Sequence, residues 1–364
     1  MKPADSVISD DGSAMEPMTS DYNKLNASQS TVWQFVKPFF AKALEDTNCT
    51  KENPSFRVAD LGCATGGNSV TPLSFVASHV AATKIASSLE MFLGDLPQNA
   101  WDAVVATVTP EALAASCRDT HPNLSQNIFV YMVGKTFYNC CTPPNSLDLS
   151  YSLVAVHWMK SYPGDIPGGL YGTCPAHNLD PISLQEWKDA GARDFADFTK
   201  ARHTELKMGG RFIGCMACPK KNGDNPWSLV GRVIYDILLT KVDSPDDLAA
   251  CILPNCYRTD ADVRAGFMDG WELEACEFHE SKDPVRESLE RGEITPTEYA
   301  KTTIEAFKAV CHPTCLGALS KSMGKTQATQ ILQEAYVEST DSVASDPEKY
   351  NLDVSFWYVL ARKV

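Results

Sequence analysis

The chain has 364 residues, 44% hydrophobic and 21% charged, a composition that can bury a substantial core and excludes wholesale disorder. Lys and Arg number 32 against 46 Asp and Glu, and the resulting net charge of −14 opposes nucleic acid or an anionic membrane surface as partner. No apolar run approaches the ~20 residues of a membrane span. Met1–Glu16 is polar and acidic, with neither a signal-peptide core nor an Arg-rich transit pattern, so a cytoplasmic protein is the expectation.

In chain order, residues 1–19 are expected to be disordered. Thr31–Leu44 reads as an amphipathic helix, with Val32, Phe35, Val36, Phe39, Phe40 and Ala43 at helical spacing and Pro38 as its flaw. Ser55–Leu61 reads as a strand running into the Gly-rich turn Gly62–Gly67, and Val70–Ser87 as a helix. Strands follow at Leu89–Leu93 and Ile128–Val133, while Ala103–Thr107 is either a strand or the start of a helix. A further strand is expected at Ser152–His157, then loop over Tyr162–Pro181. Leu184–Leu206 reads as a long helix stopped by Gly209-Gly210, with Arg211–Cys218 as the next strand. From Trp227 to about Val343 the pattern is mostly helical, broken by Pro254, Gly270 and a short strand at Trp271–Phe278. Val354–Leu360 closes the chain as a strand. This alternation predicts an α/β fold, a largely parallel sheet covered on both faces. The C-terminal helical stretch is too large for a connection and is expected to cap it. The sheet core is placed at about 50–160, 207–220, 271–280 and 350–364. The cap takes about 161–206, 221–270 and 281–349.

The strongest motif is Val58-Ala59-Asp60-Leu61-Gly62-Cys63-Ala64-Thr65-Gly66-Gly67-Asn68: strand, tight turn, helix. Small residues at Gly62, Ala64 and Gly66 let a ligand lie against the turn, and the helix start can hold a carboxylate. Asp60 at the strand end suits an ammonium. Together these describe an amino-acid end, such as the methionyl part of S-adenosylmethionine. Asp95, ending the next strand, suits ribose hydroxyls. A dinucleotide site, and with it a nicotinamide-dependent oxidoreductase, wants Gly-x-Gly-x-x-Gly, which the Gly-x-Ala-x-Gly-Gly order fits less well. A bare structural turn is the bland alternative, but strand, turn and second acid coincide here.

Further patches recur in order: Tyr22…Gln29, Ala59–Asn68, Asp95-Leu96-Pro97-Gln98-Asn99, Gly134-Lys135-Thr136-Phe137-Tyr138, Pro144-Asn145-Ser146-Leu147 followed by His157-Trp158, and Asp194-Phe195…Phe198…Arg202…Glu205-Leu206…Gly209-Gly210-Arg211. In this the sequence resembles the plant-type carboxyl methyltransferases of the salicylic acid, benzoic acid and theobromine (SABATH) family, over about residues 20–275 and the last strand. The resemblance implies a Rossmann-like class I methyltransferase sheet with a helical cap and S-adenosylmethionine as methyl donor. It implies that Asp60, Cys63, Asn68 and Tyr22 surround the methionyl end, beside Gly62. Asp95 would hold the ribose with Leu96 beside the adenine. Thr136 and Phe137 would flank that ring, and Ser152 and Leu153 would line the donor pocket. Gln29 and Trp158 would hydrogen-bond the acceptor carboxylate, with His157 beside them. A homodimer is implied in the same way. The sequence departs at Leu25 and Asn26, where the family has Asn and Ser. The Ser-Tyr-Ser-Leu stretch places either Val154 or Tyr151 at the family's Tyr position. The metal ligands that some members carry are missing around 250–257, so neither Mg²⁺ nor another metal is expected.

A carboxylate acceptor, of pKa ~4, is already ionised at neutral pH, and a thioether leaves neutral, so neither a base nor an acid is required. Positioning and water exclusion remain, with no catalytic proton donor or acceptor. An amide and an indole N–H, such as those of Gln29 and Trp158, fix a carboxylate without neutralising it. Methylation of a ring nitrogen on a small heterocycle is the alternative within the class. His157 is read as a packed or orienting residue rather than a base. Thirteen cysteines without a secretory signal suggest reduced thiols, including Cys215, Cys218, Cys311 and Cys315, rather than redox or zinc sites.

Overall fold

The computed structural model describes residues 31–45, 55–118, 122–164, 180–221, 223, 226–249, 251–350 and 352–364. Tyr22, Gln29 and the expected disorder of residues 1–19 lie outside them.

Seven strands form one sheet: β1 (Ser55–Leu61), β2 (Ser88–Asp95), β3 (Ile128–Gly134), β4 (Leu147–Leu153), β5 (Leu206–Cys218), β6 (Trp271–Ser281) and β7 (Val354–Lys363). Their spatial order is β3-β2-β1-β4-β5-β7-β6. The pairs β1–β2, β1–β4, β2–β3 and β4–β5 are parallel, and β7 runs antiparallel to both β5 and β6. Central β1 is buried along nearly its whole length because both its faces are covered.

The helices are α1 (Val32–Glu45), α2 (Val70–Thr83), α3 (Trp101–Thr107), α4 (Pro110–Ala114), α5 (Pro122–Ser125), α6 (Pro181–Glu205), α7 (Pro226–Leu239), α8 (Asp260–Gly266), α9 (Pro284–Glu290), α10 (Pro296–Met323) and α11 (Lys325–Ser345). In α1, Val32, Val36, Phe39, Phe40, Ala43 and Leu44 face inward. Pro38 stands on the exposed side, where the carbonyl it leaves unbonded meets water.

The period-two alternation of the strands sorts the core into two layers. Val58, Ile213 and Leu360 pack with α1 and α2 on one face. Ala59, Phe212 and Val359 pack with Phe195 and Phe198 of α6 and Val263 of α8 on the other. Phe198 meets Phe212 edge-on at 5.4 Å, so α6, expected in the cap, lies on the sheet. A separate apolar cluster joins α7, α10, α11 and the segment carrying Cys251 and Leu253. The described cysteines are free thiols.

Three local expectations are corrected. The strand expected at Ser152–His157 is β4, Leu147–Leu153, and Val154 ends it in the left-handed region at φ 61°. The apolar Val154–Val156 is a buried turn, not strand. Gly209-Gly210 does not stop the long helix, because α6 ends at Glu205 and Leu206 is already extended. The glycines lie inside β5, beside the register shift between Leu147 and Leu149 of β4. A Cβ at Gly210 would meet the Lys207 carbonyl at 2.9 Å. Finally, α2 stops at Thr83 rather than Ser87, closed by Lys84 at φ 57°. Ala103–Thr107 takes the helical one of its two readings.

Candidate active site

Between β1 and β4 the direction of strand succession reverses, and the carboxyl ends of these strands open a crevice of the kind where α/β sheets bind ligands. The turn after β1 sits at this crevice. Gly62 and Cys63 donate their N–H groups to the Gly94 carbonyl at 2.8 and 3.2 Å, clamping the turn to the end of β2. Gly62 has φ 87°, and a Cβ there would stand 2.4 Å from that of Ala155, so glycine is required by both conformation and space. Ala64 is also left-handed, at φ 47°. Its N–H donates to Asp95 Oδ2 at 2.7 Å, and its carbonyl accepts from Asn99 Nδ2 at 2.6 Å. These two bonds hold a strained non-glycine residue in place.

Two carboxylates flank the turn. Asp60 is buried at the end of β1, and burial raises its pKa to about 7. The Ser69 and Tyr151 hydroxyls lie beside it and oppose the rise, without forming well-aligned hydrogen bonds, while Asp95 adds to it. Among the described residues no cation pairs with Asp60. Burial likewise raises the pKa of Asp95, and the N–H groups of Leu96, at 2.8 Å, and Ala64 hold it down. A desolvated carboxylate with no cation is what an ammonium would satisfy, so the residues fit the amino-acid end of S-adenosylmethionine. The buried Cys63 thiol lies well above its ordinary pKa, through burial and then Asp95 and Asp60, and is no nucleophile.

The loop after β3 reaches the same turn. Phe137 comes within 3.7 Å of where a Gly62 Cβ would stand, and Thr136 is buried beside it. The fully buried Arg202–Glu205 pair of α6 ties this loop down. Arg202 donates to Glu205 at 2.7 Å and to the Phe137 and Asn139 carbonyls at 2.6 and 3.0 Å. Glu205 accepts the N–H groups of Cys141 and, at 2.7 Å, Thr142. Ser152 is fully buried, and its hydroxyl donates to the Leu61 carbonyl at 2.7 Å, tying β4 to β1. Leu153 is half-buried, and Asn68 is exposed at the start of the helix turn.

Beyond β4 the chain turns through a Trp158 N–H bond to the Ala155 carbonyl at 3.0 Å. Tyr138 donates its hydroxyl to the Trp158 carbonyl. Trp158, Ala64 and Tyr257 all pack against the apolar cluster of the helical cap, which brings the Gly-rich turn and Trp158 to one boundary. The Trp158 indole Nε1 is buried and has no hydrogen-bond partner among the described residues. His157 stacks on Tyr257, ring centres 5.9 Å apart. Burial, then the nearby Arg258, depresses its pKa to about 3, so it is neutral at neutral pH. Asp194 of α6 accepts the Lys160 and Ser161 N–H groups at 2.7 and 3.3 Å, fixing the exit of this loop.

The structure thus gathers Asp60, Gly62, Cys63, Asp95, Leu96, Thr136 and Phe137 around the turn, with His157 and Trp158 at the cap boundary. Tyr22 and Gln29 fall outside the described residues. Sequence reasoning gave Ser69 and Asn99 no role and weighed Tyr151 only for the family's Tyr position, not beside Asp60. Asn99 closes the Asp-Leu-Pro-Gln-Asn patch and was findable there, whereas Ser69 and Tyr151 reach Asp60 only through the fold. The described residues contain no group of three or more His, Cys, Asp or Glu side chains that could hold a metal. They also contain no helix long and apolar enough to cross a membrane.

Comparison with known proteins bears on the family and the fold. An O-methyltransferase, acrG, of Aspergillus aculeatus is 26% identical over 84% of this chain and 84% of that protein. Indole-3-acetate O-methyltransferase 1 of Arabidopsis thaliana is 25% identical over 46% of this chain and 47% of its own length. Monomethylxanthine methyltransferase 2 of Coffea arabica is 24% identical over 63% and 64%. These last two matches therefore span less than two thirds of the relatives concerned. The solved structure of a loganic acid methyltransferase with SAH shares the fold, with a TM-score of 0.73 at 18% identity over 96% of this chain and 99% of that one. A family model described as SAM dependent carboxyl methyltransferase matches residues 16–363, and the chain belongs to that family.

Proposed function

We infer that this protein transfers a methyl group from S-adenosylmethionine to the carboxylate of a small-molecule acid, forming its methyl ester. One observation carries the acceptor half: the buried indole N–H of Trp158, without a partner among the described residues, lies at the boundary where the donor turn also lies. A buried donor without a partner costs about 1–3 kcal/mol, a cost that an acceptor carboxylate removes. When bound, S-adenosylmethionine supplies a methyl group on a cationic sulfur.

The remaining work belongs to the chain. Asp60 holds the ammonium, and Gly62, Cys63, Asn68 and Tyr22 close around the methionyl end. Asp95 accepts from the ribose, its oxygens oriented by Ala64 and Leu96. Thr136, Phe137, Ser152 and Leu153 line the pocket. Trp158 and Gln29 orient the acceptor oxygen, and the cap excludes water. No residue takes a proton, because the acceptor arrives ionised, and His157 at a pKa of about 3 is too weak a base to serve.

This reading treats residues 20–364 as one methyltransferase unit of sheet core and helical cap. A homodimer remains part of the proposal; nucleic acid and membrane do not. The test is a screen of small carboxylic acids with methyl-labelled donor, each acid paired with its primary amide. The acid is expected to be methylated and the amide spared. Equal methylation of both would remove the carboxylate from the mechanism.

A further inference from the structure

The segment Cys251–Arg258, between the cap cluster and α8, lays one residue across from Trp158. Met159 donates its N–H to the Pro254 carbonyl at 2.7 Å, and Cys256 donates to the His157 carbonyl at 2.8 Å. These two bonds bracket an antiparallel bridge between Trp158 and Asn255. In such a pair the bracketed residues are the non-hydrogen-bonded ones, with Cα atoms about 4.5 Å apart and side chains on the same side. Asn255 is therefore the nearest cross-strand neighbour of the indole.

Asn255 is fully buried, and among the described residues both polar atoms of its carboxamide, Oδ1 and Nδ2, lack a hydrogen-bond partner. Its backbone carbonyl is occupied, accepting from Trp187 Nε1 at 2.8 Å, so the residue is fixed by its main chain while its side chain is unsatisfied. Beside this segment Met159, Tyr162, Trp187, Ala190, Ile252 and Cys256 form a hydrophobic cluster, in which the Trp187 indole N–H is already committed to the Asn255 carbonyl. A leucine would fill the same volume without stranding a donor and an acceptor. Two unsatisfied groups side by side, one indole N–H and one carboxamide, form a composite hydrogen-bonding surface.

We propose that Asn255 is a specificity-determining residue of the acceptor site, selecting acids that carry a hydroxyl on the carbon next to the carboxyl-bearing carbon. This rests on the carboxylate reading of Trp158. With the carboxylate on the indole, a hydroxyl at that position lies one cross-strand step away, within reach of Asn255. A hydroxyl both donates and accepts, so it can satisfy either atom of the carboxamide. A site built to hydrogen-bond a substrate group discriminates against the analogue lacking it, because the protein group is then left unpaired.

The experiment compares matched acceptors, 2-hydroxybenzoate with benzoate and 3-hydroxyoctanoate with octanoate, on the wild-type protein and on Asn255→Leu. Methyl-ester formation gives kcat/KM, calorimetry gives SAH affinity and thermal unfolding gives Tm. In at least one pair the wild type should prefer the hydroxy acid by about 10–100-fold. Asn255→Leu should reduce that preference to within about threefold, with unchanged SAH affinity and a Tm no lower than wild type. Equal rates within both pairs on the wild type would overturn the assignment and leave the carboxylate reading intact, as would a preference that survives in Asn255→Leu. Should no acid be methylated while SAH still binds, the carboxylate reading falls and this inference with it. Should Asn255→Leu not fold, Asn255→Ala takes its place in the same comparison, with the same loss of preference expected.

Discussion

Asp60 and Trp158 carry opposite halves of the reaction, and each is legible as a group missing a partner. Burial has raised the Asp60 carboxyl to about 7, so it awaits a cation. Asp60→Asn removes the charge and keeps the shape. SAH affinity measured by calorimetry should fall about 10–100-fold, the scale of a charge-assisted hydrogen bond in a desolvated site. Trp158→Phe removes the indole N–H and keeps an aromatic ring. Acceptor KM should rise about tenfold while SAH affinity stays at the wild-type value, because the lost bond is to the acceptor alone. A matching loss of SAH affinity would show that Trp158 supports the turn rather than the acceptor.

Among the elements, α6 sets both loops. Its Asp194 fixes the exit of the loop that carries Trp158, and its Arg202–Glu205 pair fixes the loop that carries Thr136 and Phe137. Asp194 and Arg202 are about two turns apart on one rigid helix, so the two loops are held in mutual register. Arg202→Met leaves Glu205 buried and unpaired, and should lower unfolding free energy in urea by about 3–5 kcal/mol. The motif containing Arg202 and Glu205 stands out in the sequence, but its work does not, because the groups it binds lie more than 60 residues away. Strand β1 and its turn were legible because a strand, a small-residue turn and a helix declare themselves locally. The end of β4 was not: Val154–Val156 is apolar as a strand would be, and only the tertiary burial of a turn distinguishes it. The Trp158–Asn255 bridge was equally hidden, since no periodicity joins residues so far apart in the chain.

For the molecule as a whole, Asp60 links pH, donor binding and stability. Its folded pKa of about 7 lies above the ordinary value of 3.8, so the donor-free fold binds a proton that the unfolded chain releases. This contributes stability below about pH 4 that is lost as pH rises through about 7. A bound ammonium favours the ionised form and reverses the penalty. The rise in Tm produced by saturating SAH should therefore be larger at about pH 8 than at about pH 6, and Asp60→Asn should flatten the difference. His157 adds no limb to the activity profile near its ordinary pKa, since it stays neutral down to about pH 3. The α/β class and the largely parallel sheet follow from the alternation of strands and helices that the sequence displays. The boundary between cap and sheet does not, because α6 is as amphipathic as a cap helix and only its Phe195 and Phe198 contacts place it on the sheet.

The most direct measurement follows the methyl label itself. Wild-type protein, methyl-labelled S-adenosylmethionine and the best acid of the screen are incubated, and the product is treated with alkali. Release of the label as methanol is the predicted result, because esters hydrolyse under these conditions. Label that stays with the product after alkali, as on nitrogen or an ether oxygen, would contradict transfer to a carboxylate.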